Sequence, residues 1–266
     1  MMLFRRLFLC ALLVGLCAGL ANSAVQRMQV MPIIAAAETF ESMLPPEHPE
    51  SRQQESGAAE HSHDEIAWEP QDGFERNLWT VLANVLGATG FALLLIPMFT
   101  WWDRQRGGNA ATLRGGLAWG LAGWFCMFAW PALGLRPELP GEAAAALHLR
   151  QAWWLLAVVC AIGGLVLLAA AKKQWRWFGL PLLAVPFLVG APHADAPAFA
   201  HHAADAAEQL EQLKARFVVA TAIASAVQWL VLGAVSAMAI RRWLRPILAD
   251  SLDGGEPLPA TERIRR

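Results

Sequence analysis

The sequence lacks the residues and motifs that mark most soluble enzymes. It has four cysteines, all inside apolar runs, so it offers neither a disulfide framework nor a paired-cysteine metal site. It has no Gly-Lys dipeptide, no HExxH motif and no nucleophile elbow, which argues against a P-loop ATPase, a zinc protease and a serine hydrolase. The net charge of −1 gives no reason to expect a nucleic-acid partner. We therefore do not expect an enzyme, and we expect no tightly bound cofactor.

Long apolar runs are what the sequence has in abundance. Hydrophobic residues make up 56% of the 266, against about 45–50% in a soluble domain. No charged residue interrupts the six runs at 7–24, 78–102, 117–135, 152–171, 177–191 and 217–240. Five of them are long enough to cross about 30 Å of hydrocarbon as helices. The fifth in chain order contains two prolines and would cover only about 22 Å, so a re-entrant segment is the alternative there. The pattern predicts an all-α, polytopic membrane protein, a helical bundle with six transmembrane spans or, alternatively, five.

The positions of lysine and arginine predict the direction of these spans. With six crossings and a cytoplasmic N-terminus, 14 of the 21 basic residues fall inside, as the positive-inside rule requires. If run 177–191 did not cross, Arg241, Arg242 and Arg245 would lie outside, against that rule. We therefore favour six spans in a bacterial inner membrane, with the N- and C-termini cytoplasmic.

This orientation divides the chain into four parts. They are a first span (1–24), an acidic, histidine-containing extracytoplasmic loop (25–76), a five-span helical bundle (77–245) and a disordered cytoplasmic tail (246–266). The first run also resembles a signal peptide, because LANSA at 20–24 offers a small-residue cleavage site. Cleavage there would leave five spans. Gly15 and Gly19 form a GxxxG pair, which suits helix packing in lipid and favours retention of the first span.

All seven histidines fall in connections that this orientation places outside, together with most of the carboxylates. Imidazole and carboxylate ligands suit divalent cobalt, nickel and zinc. The candidate metal ligands form three groups: His61 and His63 in the acidic loop; His201, His202 and Asp205 before the last span; and Glu138, His148 and His193 near the mouth of the bundle. Solvated loop residues and interfacial polar residues that bind no metal are the alternatives. Tryptophans near the ends of the runs predict an interfacial aromatic belt.

Four segments of the sequence resemble the CbtA family, a proposed membrane subunit of cobalt transporters. They are WEPQDGFERNLWTVLANVLGATGFALLL, PALGLRPELPG, LRQAWW and GAPHADAP. The motif residues within or beside them include Glu69, Asp72, Arg76, Asn84, Arg150, Trp153 and Trp154. The resemblance implies a protein that moves cobalt(II) inward for cobalamin synthesis, together with a small single-span, histidine-rich subunit like CbtB. The alternative is a membrane scaffold or metal-binding accessory protein that assists a separate permease without forming a pathway itself.

Overall fold

The computed structural model describes residues 2–41, 70, 73–194, 196–200 and 202–248, and this part of the chain is helical without any strand. The helices are α1 (Met2–Val25), α2 (Met31–Glu41), α3 (Phe74–Gln105), α4 (Leu113–Trp124), α5 (Trp130–Ala132), α6 (Leu147–Ala170), α7 (Lys173–Arg176), α8 (Gly179–Val189) and α9 (Ala204–Ala239). Wider π-helical turns at Gln26–Val30, Phe125–Ala129 and Ile240–Leu244 continue α1 into α2, α4 into α5, and α9 towards its end. The predicted all-α class is therefore confirmed for these residues.

Within the described ranges, four helices are long and apolar enough to cross a membrane. They are Leu3–Phe40, Phe74–Gln105, Leu147–Ala170 and Ala204–Leu248. The chain is thus a multi-pass helical membrane protein, as predicted. The run predicted as the third span is helical across α4, its π-helical turn and α5. The run predicted as the fifth span forms only the 11-residue helix α8, about 16 Å long. The count of six crossings and the cytoplasmic termini stay predictions.

The chain folds into two compact units, which are described separately. Unit one comprises the described residues within 1–24, 81–128 and 224–266, and unit two comprises those within 25–80 and 129–223. The tail 249–266 and most of the acidic loop lie outside the described residues. The predicted division into span, loop, bundle and tail stays a prediction.

Glycines bring α1 and α3 close together in unit one. A Cβ added to Gly19 would lie 2.5 Å from the Cα of Val85, and one added to Gly15 would overlap Thr89. Only a hydrogen in place of a side chain permits this approach, which is the reason that small residues pack well in lipid. The GxxxG pair of the first run therefore forms a helix contact, as its spacing predicts.

Glycines also bring α4 and α9 close together in unit one. A Cβ on Gly116 would lie 2.5 Å from the carbonyl oxygen of Gly233, and Gly120 faces the backbone of Trp229. Thr112 begins α4, and its Oγ1 accepts a hydrogen bond from the Gly115 amide at 3.1 Å, the usual role of a helix N-cap.

A buried carboxylate closes one end of unit one. Asp103, whose side chain is 2% exposed, accepts hydrogen bonds from the backbone amides of Ala110 and Ala111 at 2.8 and 2.7 Å. Its two oxygens also accept 2.9 Å bonds from the guanidinium of Arg245. This carboxylate therefore holds together the end of α3, the turn before α4 and the end of the α9 segment.

In unit two, α8 packs along α6 as the second arm of a hairpin. The Trp153 indole nitrogen donates to the carbonyl oxygen of Pro186 at 3.0 Å, and Gly164 lies against Leu183 and Gly179. At the hairpin turn, Arg176 Nε donates to the carbonyl of Leu168 at 2.7 Å. Trp153 is only 4% exposed. It therefore belongs to the packed interior of unit two and not to the interfacial belt that its position in the sequence predicted.

Candidate functional site

Four charged side chains of unit two form two ion pairs at the beginning of α6. Glu138 Oε2 lies 2.5 Å from Arg150 Nη2, and Glu142 Oε1 lies 2.5 Å from Lys214 Nζ. Glu138 and Glu142 come from the connection between α5 and α6, Arg150 from the first turn of α6, and Lys214 from α9. We call Glu138, Glu142, Arg150 and Lys214 the four-charge cluster. Its two ion pairs connect the loop between α5 and α6 to α6 and to α9.

The RPELPGE sequence folds into the turn that presents both carboxylates. Gly141 has a φ of +77°, a conformation that glycine adopts at no steric cost. The Glu142 carboxylate folds back and accepts a hydrogen bond from the amide of Leu139 at 3.1 Å. The amide of Ala143 then donates to the carbonyl of Ala198 at 2.8 Å. The position of the two carboxylates is thus fixed by local bonds and by a contact with the loop before α9.

Burial raises the pKa of the Glu138 carboxyl above its ordinary value. The neighbouring positive charge of Arg150 opposes this shift, the negative charge of Glu142 adds to it, and Lys214 opposes it again. Desolvation disfavours the charged form of a carboxyl group, so here it outweighs the ion pair. Glu138 consequently takes up a proton more readily than an exposed glutamate does.

Two of the predicted ligands at the mouth of the bundle have exposed side chains. His148 lies in the first turn of α6, two residues before Arg150, and His193 lies in the loop that follows α8. Nowhere in the described residues are three His, Cys, Asp or Glu side chains grouped as they would be around a metal ion. Glu138 already binds Arg150. The metal-binding roles of Glu138, His148 and His193 therefore stay predictions.

The two other predicted histidine groups are only partly visible. His202 is half-buried and its ring lies edge-on to Phe199, with the centroids 6.1 Å apart. Asp205 is exposed in the first turn of α9. His61, His63 and His201 lie outside the described residues. Whether these side chains bind a metal also stays a prediction.

The motif residue Arg76 joins α3 to α2 in unit two. Its Nη2 and Nη1 atoms lie 2.5 and 3.3 Å from the carboxylate oxygens of Glu38. At the next position along α3, the Asn77 side chain accepts a hydrogen bond from Arg27 at 3.2 Å. The partner Glu38 was not among the predicted site residues, because no local spacing connects residues so far apart. Glu69 and Asp72 fall outside the part of the chain that the structure describes.

The motif residue Asn84 lies in a relay of hydrogen bonds between α3 and α1 in unit one. The Asn22 side-chain amide donates to Asn84 Oδ1 at 3.1 Å, and Asn84 Nδ2 donates to Ser23 Oγ at 3.0 Å. Ser23 in turn donates to the backbone carbonyl of Gly19 at 2.8 Å. Asn22 and Ser23 belong to the LANSA segment and are 4% and 9% exposed. This segment, which suggested a cleavage site, is thus packed against α3.

The remaining motif residues are the two adjacent tryptophans of α6. Trp153 is buried against α8, as described above, whereas Trp154 is 37% exposed. The two indoles therefore lie on different faces of α6, one against α8 and the other partly exposed. The motif LRQAWW combines an ion-paired arginine of the four-charge cluster with the tryptophan that fixes the α6–α8 hairpin.

A comparison with known families supplies the identity that geometry alone does not. The family model described as "Probable cobalt transporter subunit (CbtA)" matches residues 4–241. No curated protein and no solved structure matches the chain. The match runs from α1 to the π-helical turn after α9, so it covers all four apolar helices nearly in full, and the resemblance found in the sequence is confirmed. The chain belongs to the CbtA family of probable cobalt transporter subunits.

Proposed function

We propose that the chain is the membrane-embedded subunit of a transporter that takes up cobalt(II) across a bacterial inner membrane and supplies cobalamin synthesis. The family match across residues 4–241 carries this proposal, and four apolar helices that could span a bilayer support it. The proposed partner is a small single-span, histidine-rich subunit of the CbtB type. Cobalt(II) is the transported ion, and the subunit itself needs neither catalysis nor a resident cofactor.

The proposed topology has six crossings with both termini in the cytoplasm. It can be tested with single cysteines at His193 and Arg241, both exposed in the structure. A membrane-impermeant maleimide should label H193C on intact cells and R241C only after permeabilisation. Three of the four native cysteines, Cys10, Cys126 and Cys160, are buried. With the partly exposed Cys17 replaced by alanine, the background labelling should be low. Labelling of R241C on intact cells would reverse the proposed orientation.

The four-charge cluster is the proposed entrance for the cation. Carboxylates on the outer side raise the local concentration of a divalent cation. Glu138 is bound to Arg150 at 2.5 Å, so cobalt must displace the guanidinium before it can bind this carboxylate. His148 and His193 would then supply imidazole nitrogens. On this proposal, R150Q binds cobalt more tightly than the unsubstituted chain, because the competing cation is gone, and E138Q binds it more weakly.

The proposed imidazole ligands make capture sensitive to pH. A metal binds the neutral form of histidine, whose ordinary pKa is about 6.5. Cobalt uptake should therefore weaken below about pH 6. Equal uptake between about pH 5 and 7.5 would contradict a histidine entrance. H193A should reduce uptake more than H61A does, and equal effects would remove the ranking of the two groups.

The second candidate function is a metal-binding accessory subunit without a pathway of its own. One observation favours it: Glu138 and Glu142 at the proposed entrance are already paired with Arg150 and Lys214. Reconstitution separates the two candidates. Liposomes that contain the purified chain, with and without the single-span subunit, are exposed to external cobalt(II), and influx is read with an entrapped metal-sensitive dye. Influx through the purified components supports a transporter, whereas binding without influx supports the accessory function.

A further inference from the structure

A shallow groove of about 530 Å³ lies in unit two between the α1–α2 segment and α9. The α1–α2 side contributes Gln29 and Ile33, and the α9 side contributes Ala215, Arg216, Val219 and Ala220. The groove is lined mainly by apolar atoms, and its volume falls within the range of small-molecule sites, about 300–1,000 Å³. Its polar groups are confined to one guanidinium and one amide.

Arg216 marks the position of this groove relative to the bilayer. It is the last charged residue before the uncharged run 217–240 of α9. Arginines at the ends of spans place their charge at the headgroup level while their stems follow the apolar surface. The apolar walls at Val219 and Ala220 continue into the spanning part of the helix. The groove therefore joins the headgroup region to the acyl-chain region.

The two polar groups of the groove are available to a ligand. The Arg216 side chain is exposed, and its guanidinium has no ion-pair or hydrogen-bond partner among the described residues. Lys214, two residues earlier, is instead neutralised by Glu142. The Gln29 side chain is likewise exposed, without a partner in the described part of the chain. A guanidinium is suited to bidentate bonds with a phosphate, and an amide can donate to an ester carbonyl.

We propose that this groove binds one anionic phospholipid, with its phosphate on Arg216 and an acyl chain along Ile33, Val219 and Ala220. Charge complementarity selects an anionic headgroup, and the apolar lining selects a molecule that carries acyl chains. The same site does not suit a divalent cation, because its only charge is positive. The proposal is independent of cobalt transport, since it rests on the groove alone.

The test measures lipid binding to the full chain in mild detergent by native mass spectrometry. Phosphatidylglycerol and phosphatidylcholine with identical acyl chains are compared on the unsubstituted chain, on R216Q and on R136Q. Arg136 is a second exposed arginine, outside the groove. One juxtamembrane arginine should give about a five-fold preference for the anionic lipid. R216Q should abolish this preference and R136Q should keep it. No preference in the unsubstituted chain, or an equal loss in both variants, would overturn the proposal.

A second pair of variants tests the groove itself. Ala215 is exposed on the groove, and Ala204 is exposed on the same helix outside it. A215W should fill the groove and reduce the binding of both lipids at least five-fold, whereas A204W should not. Binding that survives A215W would place the lipid elsewhere.

Two further readings distinguish the lipid from other occupants. Glycerophosphoglycerol, the same headgroup without acyl chains, should not compete at equal concentration; full competition would indicate a simple anion site instead. A dimer that A215W abolishes while the monomer carries no lipid would show that the groove is an interface between copies of the chain. Either result would overturn the assignment.

Discussion

The substitution D103N should lower the stability of unit one by about 3 kcal/mol. It preserves the shape of the side chain and replaces one carboxylate oxygen by an NH₂ group. In the structure the two oxygens of Asp103 accept two bonds from backbone amides and two from Arg245, and the side chain is 2% exposed. The new NH₂ group would face the Arg245 guanidinium, a donor against a donor.

The magnitude follows from the exposure of the two partners. Breaking a fully buried ion pair by removing one charge costs about 3–5 kcal/mol. Arg245 is 31% exposed, so water can solvate its charge and the cost falls to the low end of that range. The backbone amides of Ala110 and Ala111 keep an oxygen acceptor in the asparagine. For a chain of this size, each kcal/mol shifts Tm by about 2–4 °C, so we expect a decrease of about 6–12 °C.

Thiol exposure on heating measures this decrease directly in unit one. Cys10 and Cys126 are each 5% exposed and belong to that unit, whereas Cys160 belongs to unit two and Cys17 is partly exposed. With Cys17 and Cys160 replaced by alanine, a thiol-reactive fluorophore reports the opening of unit one. R241Q is the matched control, because Arg241 is exposed and lies only four residues from Arg245. A change at such an exposed position is usually worth less than about 0.5 kcal/mol. If D103N melted within about 2 °C of R241Q, the carboxylate would not hold unit one together as inferred.

Three further predictions concern other contacts and use the same kind of thermal measurement. Cys10 and Cys126 report on Gly116 in unit one, and Cys160, which is 4% exposed, reports on Glu138 and Trp153 in unit two when the other cysteines are replaced by alanine. Because the pKa of Glu138 is raised, the folded chain binds a proton at this carboxyl more tightly than the unfolded chain does. The contribution of Glu138 to stability is therefore present at low pH. It is lost as the pH rises above the ordinary pKa of 4.5. The unsubstituted chain should therefore gain stability relative to E138Q between pH 7.5 and about 5, and a loss would contradict the burial argument. G116L should cost at least about 1–3 kcal/mol, because its Cβ meets a backbone carbonyl at 2.5 Å, whereas G87L meets nothing within 4 Å and serves as its control. W153F should cost about 1 kcal/mol or more by removing an indole donor from a buried hydrogen bond, while W154F, at a partly exposed position, should cost less.

Four of the six predicted spans coincide with long apolar helices of the structure. They could be predicted because lipid offers the backbone no hydrogen-bond partner outside a helix. A segment without water to bond must satisfy its amides within a helix, and apolar composition alone then identifies it. The run 78–102 lies inside α3, and the run 217–240 extends one residue beyond the end of α9 at Ala239. Helix contacts through Gly15 and Gly19 were predictable for a similar reason, since a four-residue spacing places both glycines on one face.

The partner of each polar side chain could not be predicted, because it depends on helices that meet only after folding. Asp103 and Arg245 are 142 positions apart, and Asn22 and Asn84 are 62 apart. Neither separation along the chain corresponds to the spacing of three or four residues that places two side chains on one face of a helix. The packing of run 177–191 against α6 could not be predicted either. Its composition suits a span, but its packing as an arm of a hairpin with α6 depends on the Trp153 indole, which the sequence placed at the membrane surface.

The ion pairs also bear on the proposed orientation. Seven basic residues were assigned to the outer side against the general bias, and three of them, Arg76, Arg150 and Lys214, form ion pairs with Glu38, Glu138 and Glu142. Arg150 and Lys214 have a structural reason to lie where they do, since Glu138 and Glu142, whose side chains are 26% and 9% exposed, would otherwise lack a counter-charge. Among the described residues assigned to the inner side, the structure pairs Arg245 with Asp103. The other basic residues assigned to that side form no ion pair within the described part of the chain, so their distribution is the better guide to direction.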